Sequence, residues 1–326
     1  MEFGPVPVTE AEGAILAHSV VLPSGRLRKG IVLGAGDVAL LHAAGHRDVT
    51  VARLGPDDVS ENDAAAAVAA VLAGVGLRAS AAKTGRVNIY AEKAGLLMVN
   101  ARAVLALNRI DPMITLATLP HRARLAEGTL LATVKIISYG VDSTALSRAC
   151  LTAVGALKLR PVKYRTAGLV QSVLAGGDDG EKGRRAVATR LERLGVDLIS
   201  HEVVEHRMGS LTAGLCRAEG AVLFILTGSA TSDLHDVAPE AVRLAGGKIH
   251  HFGMPVDPGN LLFLGELEGR PVIGLPGCAR SPALNGADWV MERILCGLTV
   301  SPGDIAAMGV GGLLKEMPSR PHPREG

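Results

Sequence analysis

From residue 166 onward, short apolar runs alternate with segments of helical period. TAGLVQSVL (166–174) predicts an apolar strand running into the polar stretch AGGDDGEKG. In EKGRRAVATRLERLG, Val187, Leu191 and Leu194 fall at i, i+4 and i+7 and Gly195 follows as a stop, which predicts an amphipathic helix. VDLISHEVV predicts a strand, MGSLTAGLCRAEG a helix, AVLFIL a buried strand, and DVAPEAVRLAGG a helix stopped by two glycines. KIHHFG, NLLFLG and RPVIGL predict further strands. SPALNGADWVMERILCGL predicts a long final helix, with Ala287, Val290 or Met291, and Ile294 on one face. Strands alternating with helices at this spacing imply an α/β fold with a doubly wound, mostly parallel sheet.

The first half lacks that alternation. Residues 64–73, AAAAVAAVLA, predict a helix preceded by Glu61, Asn62 and Asp63 and closed by Gly74. Residues 101–107 predict a short helix, and RIDPMITLATLP and TLLATVKIIS predict β segments rich in Thr, Ile and Val. This is an α+β pattern. The change falls where KLRPVKYRT interrupts the apolar pattern, so two domains are expected: 1–160, of open role, and 161–326, ending in a mobile tail, PSRPHPREG.

Composition narrows the function. The 326 residues carry 34 Lys plus Arg against 32 Asp plus Glu, a net charge of +2 with no basic block, which argues against an electrostatic nucleic-acid binder. The 8 aromatic residues are too few for base-stacking platforms. A hydrophobic content of 48 % supplies a core and argues against disorder. Cys150, Cys216, Cys278 and Cys296 form no CxxC pair and match no zinc spacing, so reduced, mostly buried thiols are expected. The start MEFGPVPVTEAEG has neither the basic nor the apolar region of a secretion signal, and no apolar run reaches membrane-spanning length. A soluble, cytoplasmic protein is the expectation.

In an open parallel sheet, ligands bind beyond the carboxyl ends of the strands. Two loops should lie there. Residues 227–233, TGSATSD, follow AVLFIL and offer small residues with hydroxyls at Thr227, Ser229, Thr231 and Ser232, beside Gly228; such a loop lets backbone amides approach an anion. Asp233 and Asp236 follow, able to hold a divalent ion or a ligand N–H, or simply to cap the next helix. The second loop, Pro276, Gly277, Cys278, Ala279, Arg280 and Ser281, opens the last helix. Ser281 before Pro282 reads as an N-cap with proline at the first helical position, a helix terminus suited to phosphate, with Arg280 alongside. Its alternative is a well-capped helix with a surface arginine. A third loop, containing Pro258, Gly259 and Asn260, reads as a turn.

Two features mislead. Gly34-Ala-Gly36-Asp-Val-Ala39, with Asp57 about twenty residues on, imitates a dinucleotide fingerprint and a nicotinamide enzyme, but its leading strand is very short and no second βαβ unit follows. His250 and His251 are neighbours on a strand and point to opposite faces, so they do not jointly grip one metal.

At these loops the chain resembles the molybdopterin-binding families of molybdenum cofactor biosynthesis. TGSATSDLHDVAPEA (227–241) resembles the glycine-rich loop and Asp-Val-Thr-Pro-Glu-Ala stretch of molybdopterin adenylyltransferases, with Asp236 at the acidic position. Residues 249–282 resemble the molybdopterin molybdotransferase segment from a Pro-Gly-Lys-Pro turn to a Leu-Pro-Gly-Asn-Pro loop, and 28–51 also look like a molybdotransferase segment. The resemblance covers 166–314 most closely. In some relatives this module is fused to a molybdenum cofactor cytidylyltransferase, and no such segment is expected within these residues.

The departures concern charge. Ser229, Ala230 and Thr231 stand in the glycine-rich region, Asp257 and Asn260 stand where molybdotransferases carry lysines, and Cys278 and Ala279 replace Asn and Pro. Lysines there would stabilise developing negative charge. The resemblance implies a domain that binds molybdopterin or a nucleotide-linked form of it, in transfer or metal-insertion chemistry. Phosphate would lie on the helix termini after 227–236 and 276–281, with Asp236 as catalytic residue orienting the pterin or holding Mg²⁺. The alternative is a non-catalytic carrier that delivers cofactor to a cytidylyltransferase or a molybdoenzyme. The resemblance also implies a homo-oligomer. Cys278 is a thiol able to meet a dithiolene or a metal, or an inert loop cysteine.

Overall fold

The computed structural model describes residues 1–177 and 179–314. The tail PSRPHPREG lies outside the described residues. The chain divides into two compact units, Met1–Lys93 with Leu97–Leu159, and Ala94–Leu96 with Arg160–Gly326.

The first unit is built on antiparallel pairing. Glu2–Pro7 pairs with Asp48–Arg53, which also pairs with Ile15–Leu16. A four-stranded sheet runs in the order Ile114–Thr118, Leu130–Ile136, Arg86–Ala91, Leu77–Ala79. The helix Glu61–Leu72 begins before its alanine run because the Ser60 side chain accepts from the Asp63 amide. It buries Ala64, Ala65, Val68, Ala69 and Leu72 in the same core as Val87, Ile89 and Val134. A helix that the sequence pattern did not signal, Ser143–Ala153, is capped by Asp142 and buries Leu146, Ala149 and Ala153. Its Ser, Thr and Cys content blurs the apolar period. The glycines of the false fingerprint lie at a helix start: Gly34 caps Ala35–Ala43 with Asp37 as its partner, and the preceding Val32 makes only a single bridge to Ile15.

Among its described residues the second unit contains six strands, β1 (Thr166–Val173), β2 (Asp197–Glu205), β3 (Val222–Leu226), β4 (Lys248–Phe252), β5 (Phe263–Leu267) and β6 (Arg270–Leu275). They form one sheet in the order β2-β1-β3-β6-β5-β4. The first four are parallel, and β5 runs antiparallel to both β6 and β4. The result is a mixed α/β unit with a mostly parallel sheet. The α-helices among the described residues of this unit are α1 (Glu181–Glu192), α2 (Met208–Arg217), α3 (Val237–Leu244), α4 (Gly286–Leu295) and α5 (Pro302–Ala307). Val187 and Leu191 of α1, with Val290, Met291 and Leu295 of α4, pack on one core with Leu169, Phe224 and Ile273. Leu211 and Leu215 of α2, with Ala238, Ala241 and Val242 of α3, pack on Val170, Leu223 and Ile225. Helices therefore cover both faces, and β3 is buried throughout, as a central parallel strand must be. Phe263 lies opposite Gly274 in register, and a Cβ added at Gly274 would enter its ring.

Register decides what meets at the carboxyl edge. Gln171 of β1 pairs with Leu226 of β3, Leu226 pairs with Leu275 of β6, and Val173 pairs with Glu205 of β2. The four parallel strands end at one level, so the segments after 173, 205, 226 and 275 emerge side by side.

The loop after β6 is held from below by Arg190, which is 3 % exposed on the inner face of α1. Its Nε meets Asp288 Oδ1 at 2.6 Å, Nη1 donates to Ala186 O and Ala279 O (both 2.9 Å), and Nη2 donates to Ser281 O at 2.6 Å and Ala283 O at 3.1 Å. All five N–H groups are used. Removing one partner of such a buried pair leaves the other charge uncompensated. Arg190→Ala is therefore expected to lower unfolding stability by about 3–5 kcal/mol, read as a drop in the urea midpoint. The double exchange Arg190→Met with Asp288→Leu should be milder than Arg190→Ala.

Candidate functional site

The loops singled out from sequence meet. Arg280 Nη2 donates to the Thr227 carbonyl oxygen, joining the segment after β6 to the segment after β3. Between them and the segment after β1 lies a cavity of about 200 Å³, lined by Ser172, Val173, Leu174, Gly177, Gly228 and Arg280. It sits where the order reverses, with β2 on one side of β1 and β3 on the other, the place at which open α/β sheets bind ligands.

Within 227–233 the residues divide into two groups. Thr227 Oγ1 donates to Ser229 O at 2.6 Å and lies 3.3 Å from Thr231 Oγ1; both side chains are buried and brace the loop from inside. Ser229 and Ala230 are exposed, and among the described residues the amides of Ser229, Ala230 and Thr231 meet no acceptor. Gly228 N donates to Ser172 Oγ at 3.1 Å. Asp233 receives the His235 amide at 2.8 Å.

Asp236 is the N-cap of α3. Its Oδ1 accepts from Val237 N at 2.7 Å and its Oδ2 from Ser232 N at 2.9 Å. Burial acts to raise this carboxyl, but the Ser232 and Val237 amides and the charge of His206 outweigh it, leaving Asp236 below the ordinary carboxylate value. Both oxygens are engaged, and among the described residues no group of three or more His, Cys, Asp or Glu is arranged to hold a metal ion. That donor set does not fit a resident Mg²⁺, and no step is assigned to one.

The second loop departs from its expected form. Residues Gly277–Arg280 make a 3-10 turn, and Ser281 ends it rather than starting a helix. The helix expected to be final, α4, begins at Gly286, with Asn285 as N-cap and Asp288 completing a capping box, and the short α5 follows it. Asn285 accepts from a first-turn amide and Asp288 closes the box, a stronger start than Ser-Pro. Gly286 N donates to Pro258 O, Ala287 N to Asn285 Oδ1, and Asp288 N to Asn285 O. The phosphate site expected on this helix terminus is thus consumed internally. Ser281 Oγ accepts from Ala283 N at 3.3 Å. Cys278 lies exposed; packing around its sulfur pushes the thiol up, which suppresses the reactive thiolate.

The third loop packs on that same terminus. The Asp257-Pro258 bond is cis, and a Cβ at Gly259 would strike Gly286 N and Cα at 2.8 and 3.0 Å. Asn260 Nδ2 donates to Met254 O at 3.3 Å. Pro258, Gly259 and Asn260 support α4 and do not line the cavity. His250 faces Glu266 at 3.4 Å and His251 bonds Gly253 O at 2.7 Å, on separate partners.

Two residues were missed by sequence reasoning. Ser172 is fully buried near the end of β1, and His206 follows β2; Ser172 Oγ and His206 Nδ1 lie 2.9 Å apart. The available signal was positional: a hydroxyl and an imidazole at the ends of adjacent parallel strands.

A family described as Domain of unknown function (DUF8806) matches residues 5–53. No curated protein matches the chain. Among solved structures, the molybdopterin biosynthesis MoeA protein from Pyrococcus horikosii is matched over 94 % of this chain and 77 % of its own, at 15 % identity and a TM-score of 0.33. A molybdenum cofactor biosynthesis protein from Pyrococcus furiosus is matched over 90 % and 61 %, at 14 % identity and a TM-score of 0.23, so the chain spans under two thirds of that protein. Likenesses this distant do not bear on the site. No helix among the described residues is long and apolar enough to cross a membrane.

Asp236 yields a pH prediction. A carboxyl held below its unfolded value contributes stability that is present above the unfolded value and lost as pH falls through the folded one. Asp236→Ala should cost about 1 kcal/mol at neutral pH through loss of the cap. Asp236→Asn should keep most of the cap while flattening the acid limb of stability against pH, measured by chemical denaturation from pH 7 down to pH 3.

Proposed function

We propose that the second unit binds molybdopterin, or a nucleotide-linked form of it, by its phosphate in the crevice between the segments after β1, β3 and β6. One observation carries this reading: the two stretches whose sequences resemble molybdopterin-family loops, 227–241 and 249–282, converge on one cavity through the Arg280–Thr227 contact. The ligand's position differs from the helix-terminus expectation. The termini of α3 and α4 are capped from within, so the anion is assigned to the guanidinium of Arg280, which lines the cavity, and to the open amides of Ser229, Ala230 and Thr231, which follow its Gly228 wall. A cavity of about 200 Å³ admits a phosphoryl group and excludes a pterin, which would lie outward along the crevice.

The residues at the family's lysine positions favour holding over chemistry. The acidic Asp257 and neutral Asn260 stand where a molybdotransferase carries lysines, and Asp257 is tied down through its backbone by Gly312 and Leu314. Asp236 is committed as a cap. A carrier that passes cofactor to a cytidylyltransferase or a molybdoenzyme is the form of the proposal these residues support. Homo-oligomerisation and Mg²⁺ dependence form no part of it.

Calorimetric titration of the purified chain with molybdopterin, together with mass spectrometry of what co-purifies, tests this directly. Binding by the wild type is expected, and Arg280→Ala should weaken it by about 10- to 100-fold, the range for a lost hydrogen bond to a charged group. Absence of heat with the wild type, and no pterin in the native preparation, would overturn the reading.

A further inference from the structure

We propose that His206 is the positioning residue of this crevice: acting through the buried Ser172 hydroxyl it fixes the Thr227–Gly228 peptide, and it loses that hold when its imidazole takes up a proton. The inference rests on the site proposed above but concerns the protein itself.

The Thr227–Gly228 peptide is gripped on both sides. Its carbonyl oxygen accepts from Arg280, and its N–H donates to Ser172 Oγ at 3.1 Å. Behind Ser172 stands His206, with Nδ1 at 2.9 Å and its backbone N–H donating to Val173 O at 2.9 Å. One peptide plane is therefore held by the ends of β1, β2 and β6. The amides assigned to the anion begin at the next residue, Ser229, so the setting of this plane sets their aim.

The proton count makes the arrangement pH-sensitive. Ser172 has one O–H to donate and two lone pairs. One lone pair takes the Gly228 N–H. With the ring neutral and its proton on Nε2, the Ser172 O–H donates to Nδ1 and both bonds at Ser172 are made. A proton added from solvent at Nδ1 turns that nitrogen into a donor, and the Ser172 O–H must reverse. Ser172 is 0 % exposed, and among the described residues its hydroxyl has no other partner, so the reversed O–H has nowhere to go.

Charged groups near His206 act on its protonated form. Asp236, on the loop before α3, feels its charge and attracts the imidazolium. Arg280 lies across the Thr227–Gly228 peptide. Glu205 and Arg207, its chain neighbours, pair with each other at 3.4 Å, and His235 of the 227–236 loop is occupied by Glu240 at 2.8 Å. On protonation Ser172 Oγ faces two donors, the ring Nδ1–H and the Gly228 N–H, while its own buried O–H has no acceptor, so the bond that fixes the Gly228 amide is weakened.

Nitrogen–proton NMR of the full chain tests this. In the wild type, the Gly228 amide resonance should follow the His206 ring titration, with hydrogen exchange at Gly228 accelerating severalfold on the acid side. His206→Gln, whose side-chain oxygen can still accept from Ser172, should keep the neutral-pH resonance and abolish its pH dependence. Ser172→Ala should uncouple Gly228 from the ring. A Gly228 resonance that ignores the His206 titration in the wild type, or that tracks it equally in Ser172→Ala, overturns the proposal; the wild-type arm needs no variant to fold. Sulfate, which does not titrate in this range, serves as the anion probe. If the wild type takes up no sulfate in the crevice while Gly228 follows His206, the ligand reading fails and the relay stands.

Discussion

The buried Arg190 guanidinium is the interaction on which the carboxyl edge of the second unit depends. A charge this deep is tolerated only when every N–H finds an acceptor and a counter-charge lies close. Arg190 meets that condition by drawing in Asp288 and the carbonyls of Ala279, Ser281 and Ala283. The segment between β6 and α4 is thereby fixed in a shape that neither its own turn chemistry nor the helix could impose. Asp288 serves twice, since its other oxygen accepts the Asn285 amide that starts α4. One ion pair thus joins α1, the 3-10 turn and α4.

That fixed loop places Arg280 against the Thr227 carbonyl. The consequence passes from loop to loop: Arg190 shapes residues 279–283, Arg280 reaches 227, and Ser172 with His206 takes the other side of the same peptide. Coupling of this kind needs no long-range motion, because each contact is a direct hydrogen bond in a poorly solvated edge. Small residues make it possible: a Cβ at Gly228 would press on Ser172 O and Leu174 N at 3.0 and 3.1 Å.

Anion sites at helix termini arise where first-turn amides remain open. Here Asp236 takes the Val237 amide of α3, where Pro239 has none to offer, and Asn285 with Pro258 takes the first amides of α4. The same residues that make the helices well defined remove their termini as ligand sites. What stays open is irregular backbone, residues 229–231, held in place by its neighbours.

Most strands and helices of the second unit, though not α5, were legible in the sequence because local physics decides them: apolar runs such as 222–226, the i, i+4, i+7 stripe of α1, and glycine stops. In the first unit the alanine-rich helix was legible, and Ser143–Ala153 was not, its polar content hiding the period. The two loops that meet at the crevice were legible as small-residue, turn-forming segments at strand ends. Arg190 lay in plain view at i+3 of the apolar stripe, yet it reads as a solvated arginine until the fold supplies Asp288 from 98 residues away. The start of α4 was misplaced because Ser-Pro is a local signal, whereas Asn285 wins through contacts with Asp288 and Pro258. Ser172 and His206 become partners only through the parallel register of β1 and β2. Periodicity and capping are properties of neighbours along the chain, and the sequence determined those. Which charge is buried, which amide is already spent and which side chains share a proton depend on groups brought together by folding, and the tertiary structure alone decided them.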